Sequence, residues 1–108
     1  MHSSQDIEQI KNIIINIVPD ACRVYLFGSY SRGTADNNSD LDIAIITNGQ
    51  IERKTKLNIL SNLWNATCEK GFSVDFILKT LVDFEDEKNL PTISNVIFNE
   101  GKLLWQKI

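Results

Sequence analysis

The sequence is poor in the residues that build zinc sites and disulfide frameworks. It has one histidine, His2, and two cysteines, Cys22 and Cys68, among 108 residues. No Cys-x-x-Cys pair is present, so the four ligands of a structural zinc ion are not available. We predict that both cysteines are small, buried, apolar side chains.

Long apolar runs are also missing. The unbroken apolar stretches are only a few residues long, whereas a membrane-spanning helix needs about 20 such residues. Residues 3–5 are polar, and Asp6 and Glu8 are acidic, in the region where a signal peptide would be basic and then apolar. We therefore expect a cytoplasmic protein that has no membrane contact.

The sequence has fewer basic residues than acidic ones. Lys and Arg total 11 against 14 Asp and Glu, which gives a net charge of −3. A protein that holds nucleic acid through its phosphates presents a basic face, and no basic cluster occurs in this sequence. We therefore expect no direct binding of nucleic acid.

The overall composition is that of an ordinary globular domain. Hydrophobic residues make up 43% of the chain and charged residues 23%, which excludes disordered and fibrous classes. The length suits one compact domain. We expect a single domain over residues 1–108.

Helical and strand-like patterns alternate along the chain. Three helices are predicted. The first has Ser4 as its N-cap and ends at Pro19–Asp20, the second spans residues 51–70, and the third begins at Pro91 and ends at Gly101. The predicted strands are residues 23–27, 41–47, 72–78 and 102–105. This order predicts an α/β or α+β domain with a mixed sheet of about four strands flanked by helices. The alternation also favours at least one parallel crossover.

Some residues outside the candidate site carry predictions of their own. Leu57 and Trp64 fall on the apolar face of the helix over residues 51–70, and Trp105 falls in the last strand. Both tryptophans are therefore predicted to be core or interface residues. The acidic stretch over residues 83–87 is predicted to be a solvated loop or, alternatively, a contact for a basic partner surface.

Two aspartates stand at the start of the second predicted strand. Asp40 and Asp42 are two residues apart, so their side chains point to the same face of an extended chain. Residues 43–46 are all apolar, which is typical of a strand covered on both faces. Repulsion between two carboxylates is on the order of 4 kcal/mol at 4 Å and an effective dielectric near 20, and a divalent cation offsets it where water cannot.

A third acid, Asp75, stands alone in the apolar third strand. An isolated carboxylate in a buried strand is rare unless it is paired or bound to a metal. If this strand lies beside residues 41–47, Asp75 joins the two earlier acids in a set suited to magnesium. The alternatives are a polar strand start for the first pair and, for Asp75, an edge-strand position or an ion pair with Lys79.

A loop rich in small residues precedes the paired acids. Gly28 follows the first strand, and residues 29–33 are predicted to start a short helix whose first N–H groups suit phosphate. Ser29 adds a hydroxyl donor, and Arg32 adds a guanidinium that binds phosphate oxygens. The alternatives are that Ser29 only caps this helix and that Arg32 is only a surface charge.

Two other loop motifs do not fit. The glycine spacing resembles half of a P-loop, but Thr34 stands where lysine is required. An EF-hand-like run that begins at Asp36 has Leu41 and Thr47 where glycine and glutamate are required. Residues 36–38 are therefore predicted to be solvated turn residues.

The order Gly28-Ser29-x-x-Arg32-Gly33, then Ser39-Asp40-x-Asp42, then Asp75, resembles the DNA polymerase beta-like nucleotidyltransferase superfamily. In length the chain is similar to its minimal nucleotidyltransferases, the MNT proteins of prokaryotic toxin–antitoxin pairs. The resemblance implies a small mixed sheet flanked by helices, two magnesium ions, and ATP as the donor of AMP.

The resemblance also implies a role for each motif residue. The residues concerned are the acids Asp40, Asp42 and Asp75 and the loop residues Gly28, Ser29, Arg32 and Gly33. The acids would bind the metal ions, and Asp75 would also help to deprotonate the attacking hydroxyl. The loop residues would bind the β- and γ-phosphates of ATP.

By the same resemblance, the expected reaction is transfer of AMP from ATP to a tyrosine of a HEPN-type ribonuclease toxin, which makes the chain an antitoxin. The alternative is an antitoxin that neutralises its toxin by occlusion without catalysis. Transfer to a small molecule or an RNA end is disfavoured by the acidic balance and by the lack of the second domain that larger relatives use. We expect a homodimer or a hetero-oligomer with the toxin, which would supply the acceptor.

Overall fold

Helices and strands alternate in the residues that the structure, a computed structural model, describes, which are residues 3–35 and 40–107. The predicted turn over residues 36–38, and Ser39 of the motif, lie outside the described residues. In chain order the elements are α1 (Ser4–Ile17), β1 (Ala21–Phe27), α2 (Ser29–Arg32), β2 (Leu41–Thr47), α3 (Arg53–Glu69), β3 (Val74–Thr80), α4 (Leu81–Glu87), α5 (Ile93–Glu100) and β4 (Lys102–Gln106).

The four strands form one mixed sheet in the order β3-β2-β1-β4. β1 pairs antiparallel with β2 and β4, whereas β2 and β3 are parallel. The parallel pair is joined by α3, because a parallel connection must cross back over the sheet. The predicted fold class, a mixed four-stranded sheet flanked by helices with a parallel crossover, is confirmed.

Apolar residues cover both faces of the central strand β2. One face packs against α1 and α3, and its fully buried residues include Ile10, Ile14, Ile43, Ile45 and Leu63. The other face packs against α4 and α5 through Phe27, Ala44, Ile46, Phe84 and Ile97. Burial on both faces explains why residues 43–46 show no apolar–polar alternation.

The start of α1 differs from the prediction by one residue. Its N-cap is Ser3, whose Oγ accepts the N–H of Asp6 at 3.2 Å, while the Asp6 carboxylate accepts the N–H of Ser3 at 2.9 Å. The prediction of Ser4 as the cap is therefore wrong. The acid three residues after Ser3 completes a capping box, which satisfies two N–H groups at once.

The acidic stretch over residues 83–87 is helical, so the loop prediction for it is wrong. The N–H of Asp83 donates to the Thr80 Oγ1 at 3.1 Å, which caps α4. Phe84 is fully buried beneath this helix. Glu85 and Glu87 accept from basic side chains of the same domain, so their charge is compensated within the fold.

Helix α3 packs through a narrower stripe than its sequence predicts. Leu63 and Thr67 are buried, but Leu57 is 57% exposed and Trp64 is 62% exposed. Trp64 was predicted to be a core or interface residue, and the core alternative is wrong, because the helix contacts the sheet along a row about 100° away from that side chain. The interface alternative stays a prediction. Trp105, by contrast, packs against the core.

The two cysteines differ in their surroundings. Cys22 is half-buried, and its Sγ–H donates to the Ile46 carbonyl at 3.2 Å. Cys68 is exposed, so the prediction of a buried side chain is wrong there. The preceding residue, Thr67, occupies the buried position of that helical turn.

Element boundaries elsewhere differ by one to three residues from those predicted. The strand β2 has the predicted bounds, whereas β3 begins and ends two residues later than predicted. In the described part of the chain, no helix combines the length and apolarity that crossing a membrane requires.

Candidate functional site

The parallel pairing of β2 and β3 brings two aspartates together. Asp42 is the second residue of β2 and Asp75 is the second residue of β3, and the register pairs them directly. Paired residues of neighbouring strands project to the same face of a sheet. Asp40 precedes the first residue of β2, so all three acids lie at the same end of the parallel pair.

Asp40 is held by the segment that leads into β3. Ser73 Oγ donates a hydrogen bond to Asp40 Oδ1, and the N–H of Leu41 donates to the Ser73 carbonyl at 3.0 Å. Sequence reasoning missed Ser73. Its position, two residues before Asp75, was a usable signal, since carboxylates that bind a metal are themselves hydrogen-bonded by nearby polar groups.

The electrostatic surroundings of Asp42 favour its protonated form. Partial burial is the largest cause, and the carboxylates of Asp75 and Asp40 add to it, so the pKa of Asp42 is raised above its ordinary value. The guanidinium of Arg32 opposes this shift. These interactions place the two other acids and Arg32 within electrostatic range of Asp42.

The ligand types at this site suit magnesium, but the three carboxylates do not lie close enough together to hold one ion. Carboxylate oxygens are the protein ligands that Mg²⁺ prefers, and three acids supply them here. Among residues 3–35 and 40–107, however, no three Asp, Glu, His or Cys side chains are gathered closely enough to hold a metal ion. Mutual repulsion keeps carboxylates apart when no cation lies between them, and Asp40 is held by Ser73.

Gly28 lies against the Asp42 carboxylate. Its φ is +73° and its ψ is −151°, a conformation that is essentially restricted to glycine. A Cβ on this residue would collide with Asp42 Oδ2 and lie 3.1 Å from Asp42 Cγ. Glycine is therefore required here both for the sharp exit from β1 and for the close approach to the acid.

The single turn α2 follows Gly28 directly. The N–H of Arg32 donates to the Gly28 carbonyl at 3.1 Å, and the N–H of Thr34 donates to the Ser29 carbonyl at 2.9 Å. The N-cap is Gly28 and no side chain caps this turn, so the alternative of Ser29 as the helix cap is wrong. Gly33 ends the turn with a φ of +73°.

Arg32 lies between the acids and the end of α5. Its guanidinium is 3.5 Å from Glu100 Oε2, and both side chains are about half exposed, at 48% and 46%. An ion pair this open contributes little to stability, so Arg32 is free to exchange partners. Sequence reasoning missed Glu100, because a surface glutamate at a helix end has no distinguishing pattern.

The alternatives for Asp75 are partly settled by position. β3 is an outer strand of the described sheet, and Asp75 is exposed, so Asp75 does lie on an edge strand; it also lies opposite Asp42 in the parallel pair, so its role as a site residue stays a prediction. Lys79 pairs with Glu87 at 3.0 Å, which leaves the ion-pair alternative without support.

Replacing Gly28 with alanine is expected to lower the free energy of unfolding by about 1 kcal/mol more than replacing Gly33 does. Both glycines have a φ of +73°. Gly33, with a ψ of 19°, lies in the left-handed region, where alanine carries a strain of about 1–2 kcal/mol, whereas Gly28, with a ψ of −151°, lies in a region that is essentially restricted to glycine, so alanine is strained more there. At Gly33 a Cβ meets nothing within 4 Å, whereas at Gly28 it meets Asp42, and such overpacking costs about 1–3 kcal/mol. Urea unfolding of both variants measures the difference, and equal losses would contradict both the glycine-restricted backbone at Gly28 and its contact with Asp42.

The chain matches a known protein family over nearly its whole length. The sequence profile described as "Polymerase beta, Nucleotidyltransferase" matches residues 8–107. The protein adenylyltransferase MntA of Shewanella oneidensis is 29% identical over 98 residues, which is 90% of this chain and 63% of that protein. The chain therefore spans less than two thirds of the length of this relative.

Solved structures show the same fold. A toxin–antitoxin complex with AMP-PNP matches 98% of this chain and 75% of its own at a TM-score of 0.65 and 24% identity. The tri-AMPylated HEPN toxin of Shewanella oneidensis in complex with its MNT antitoxin matches 95% of this chain and 71% of its own, at a TM-score of 0.60 and 21% identity.

Proposed function

Because the chain belongs to the polymerase beta nucleotidyltransferase family, we propose that it transfers AMP from ATP to a hydroxyl group of a partner protein. The observation that carries this proposal is the direct pairing of Asp42 with Asp75 beside Gly28. An anion-binding turn and paired carboxylates then meet at one end of the parallel strands, which suits a nucleoside triphosphate with its cations.

The acids Asp40, Asp42 and Asp75 would hold two magnesium ions. Their oxygen donors fit this metal, and their mutual repulsion gives the site a reason to bind cations. When bound, the ions would neutralise negative charge on the triphosphate and on the attacking oxygen. Binding requires the Asp40 side chain to give up or share its bond with Ser73.

The loop would hold the phosphates of ATP. Gly28 lets the backbone approach closely, and Ser29 supplies a hydroxyl. The unpaired N–H groups at the start of the α2 turn point out of its N-terminal end, toward Gly28. Arg32 would exchange Glu100 for phosphate oxygens, which it can bind with two parallel hydrogen bonds. Gly33 lets the chain leave the turn.

The transfer step is a substitution at the α-phosphorus of ATP. The oxygen of the acceptor hydroxyl forms a bond to the α-phosphorus, and the bond from that phosphorus to the oxygen bridging to the β-phosphate breaks. Pyrophosphate leaves with that oxygen, and Asp75 accepts the proton of the hydroxyl. The exposed position of Asp75 at the sheet edge leaves it accessible to a hydroxyl from another protein.

The partner we propose is a HEPN-type toxin, with a tyrosine as acceptor, so that the chain acts as an antitoxin. This is the pairing named for the structural neighbours, and a transferase that uses ATP in this way would work in the cytoplasm. The proposed assembly is a hetero-oligomer with the toxin, in which the toxin carries the acceptor to the site.

A second candidate function is neutralisation by occlusion without AMP transfer. It is favoured by the hydrogen bond from Ser73 Oγ to Asp40 Oδ1, which occupies a carboxylate oxygen that a metal ion would need. A chain that cannot assemble its cations would still bind a toxin surface, because binding needs only complementary shape and charge.

Mass spectrometry of the toxin separates these two functions. The chain would be incubated with a HEPN-type toxin encoded beside it, with ATP and Mg²⁺, and then with EDTA in place of Mg²⁺. We expect the toxin mass to rise by one or more AMP units only when Mg²⁺ is present, together with release of pyrophosphate. Silencing of the toxin by a stoichiometric complex, with no change of mass, would instead identify occlusion.

A further inference from the structure

The outer strand β3 directs one row of its backbone groups away from the sheet. The N–H of Leu41 in β2 donates to the Ser73 carbonyl at 3.0 Å, and the side to which a strand residue directs its N–H and C=O alternates along the strand. The residues of β3 that direct these groups outward are therefore Val74, Phe76 and Leu78. In the described part of the chain, no further strand lies beyond β3, so this row can pair with another chain.

A cleft of about 430 Å³ follows this edge of the sheet. Residues 76–80 all line it, together with Leu60 of α3 and Asp83 of α4. Successive side chains of a strand point to opposite faces, so the feature that five consecutive residues share is the backbone edge. The edge is therefore open, with α3 on one side of it and α4 on the other.

The sequence of β3 is complementary to itself when two copies run antiparallel. Only residues that direct their backbone groups outward can exchange hydrogen bonds across such a pair. A twofold axis centred on Ile77 meets this condition, because it pairs Phe76 with Leu78 of the other copy. Among the symmetric registers, only this one pairs all seven residues of the strand, and it places Asp75 opposite Lys79 on each side of the axis.

Opposite charges therefore meet in this register. Asp75 and the partner's Lys79 would occupy a non-hydrogen-bonded position, where the two Cα atoms lie about 4.5 Å apart and opposite charges attract. Within its own chain Lys79 pairs with Glu87 at 3.0 Å. Ser94 donates to the same oxygen of Glu87 at 2.9 Å, so Glu87 keeps a donor when Lys79 turns to the second copy.

An exposed apolar patch on α3 lies beside the same edge. Trp64 is 62% exposed and Leu57 is 57% exposed, and their separation of seven residues places them on one side of the helix. Trp64 lines a cleft together with Phe76 of β3, so the patch reaches the edge. A twofold axis brings such a patch against its own copy, and this contact buries apolar surface that a single chain leaves in water.

We propose that two copies of the chain pair antiparallel through β3, around Ile77, and form one continuous sheet with four strands from each copy. Asp42 and Asp75 lie on the face of the sheet that α4 and α5 cover, as Ile77 does. Pairing uses the edge and leaves this face open to a nucleotide. The partner's Lys79 then adds a positive charge beside Asp75, so each copy contributes a residue to the site of the other.

Disulfide trapping tests the register directly. In Ile77→Cys the two new side chains face each other across the axis, with Cα atoms about 4.5 Å apart, which is within the range of a disulfide. We expect mild oxidation to give a covalent dimer with twice the 12.3 kDa mass of one chain. Both the test and the control carry Cys68→Ser, because Cys68 is exposed. The control is Leu103→Cys, an exposed position on the other outer strand, which is expected to remain monomeric.

Exchange of the charges tests the complementarity without oxidation. Asp75→Lys places two lysines opposite each other, and Lys79→Asp places two aspartates opposite each other. We expect the parent to sediment as a dimer and each variant alone to have a dimer dissociation constant about tenfold higher. An equimolar mixture of the two variants restores both pairs of opposite charges and is expected to dimerise as the parent does. Circular dichroism of each variant checks that it is folded.

The outcomes decide between a second copy and other occupants of the edge. A parent chain that sediments as a monomer at its highest soluble concentration, or Ile77→Cys that cross-links no faster than Leu103→Cys, would overturn the pairing. A mixture of folded charge variants that stays monomeric would overturn the register. Protection of the β3 amides from hydrogen exchange only after a toxin is added would make β3 a toxin-binding edge and overturn the dimer. AMP transfer by a monomeric parent would leave the proposed function intact.

Discussion

Asp42→Asn is expected to lower the rate of AMP transfer by about 10³-fold. The carboxylate of Asp42 lies against Gly28, and Asp42 pairs with Asp75 of the neighbouring parallel strand. Its amide replacement keeps the shape of the side chain but removes the charge that would hold a cation between the acids. Transfer to the toxin of a label carried on the α-phosphate of ATP measures the loss.

A matched variant separates this loss from a general effect of charge. Asp86 is an exposed acid on α4, so Asp86→Asn removes the same charge outside the candidate site and is expected to keep full activity. Transfer by Asp42→Asn within tenfold of the parent rate would exclude Asp42 from the machinery of the reaction.

The same variant is expected to be more stable than the parent at neutral pH. The folded-state pKa of Asp42 is raised, so the folded state binds its proton more tightly than the unfolded chain does. The resulting stabilisation is complete below the ordinary Asp pKa of about 4 and is lost as pH rises through the folded-state pKa. Asparagine does not titrate, so the variant does not lose this stability as the pH rises.

Thermal unfolding in the absence of Mg²⁺ checks the sign of this effect. The Tm of Asp42→Asn minus that of the parent should be positive at pH 7 and should shrink as the pH falls toward the ordinary Asp range. Added Mg²⁺ should raise the Tm of the parent more than that of the variant, since a ligand stabilises the state that binds it. A Tm below that of the parent at pH 7 without metal would contradict the raised pKa.

Phe84→Ala is expected to lower the free energy of unfolding by about 3–5 kcal/mol. Phe84 is fully buried, and its ring centroid lies 5.6 Å from that of Tyr25 and 6.4 Å from that of Phe98. Alanine would leave a cavity beneath α4 and remove both ring contacts. Unfolding in urea, monitored by circular dichroism, measures the loss.

Val82 supplies the control on the same helix. Its side chain is 63% exposed, so Val82→Ala is expected to change the free energy of unfolding by no more than about 0.5 kcal/mol. A loss below about 1 kcal/mol in Phe84→Ala would mean that α4 does not depend on this ring. The original prediction of a solvated loop would then describe the segment better in solution.

The second apolar cluster matters to the candidate site because it shares a face of the sheet with the acids. Ala44 and Ile46 lie two and four residues after Asp42 in β2, on the same face of the sheet, and both belong to the cluster with Phe84. Packing of α4 and α5 on this face therefore fixes the strands that carry the acids. It also brings Glu100, at the end of α5, to Arg32.

The sequence by itself determined the features that depend on near neighbours. The bounds of β2 follow from its apolar run, and the common face of Asp40 and Asp42 follows from the two-residue repeat of a strand. The turn after β1 follows from Gly28, since few other residues tolerate its backbone conformation. The fold class was equally predictable, because helix and strand patterns alternate along the chain.

Only the tertiary structure decided which distant residues meet. Pairing of Asp42 with Asp75 depends on the register of β3 against β2, and no local pattern fixes that register. The bond from Ser73 to Asp40 and the exposure of Trp64 depend in the same way on how β3 and α3 pack. The position of a residue in its helix or strand determines the direction of its side chain. Which distant residues that side chain meets depends on contacts that form only when the chain folds.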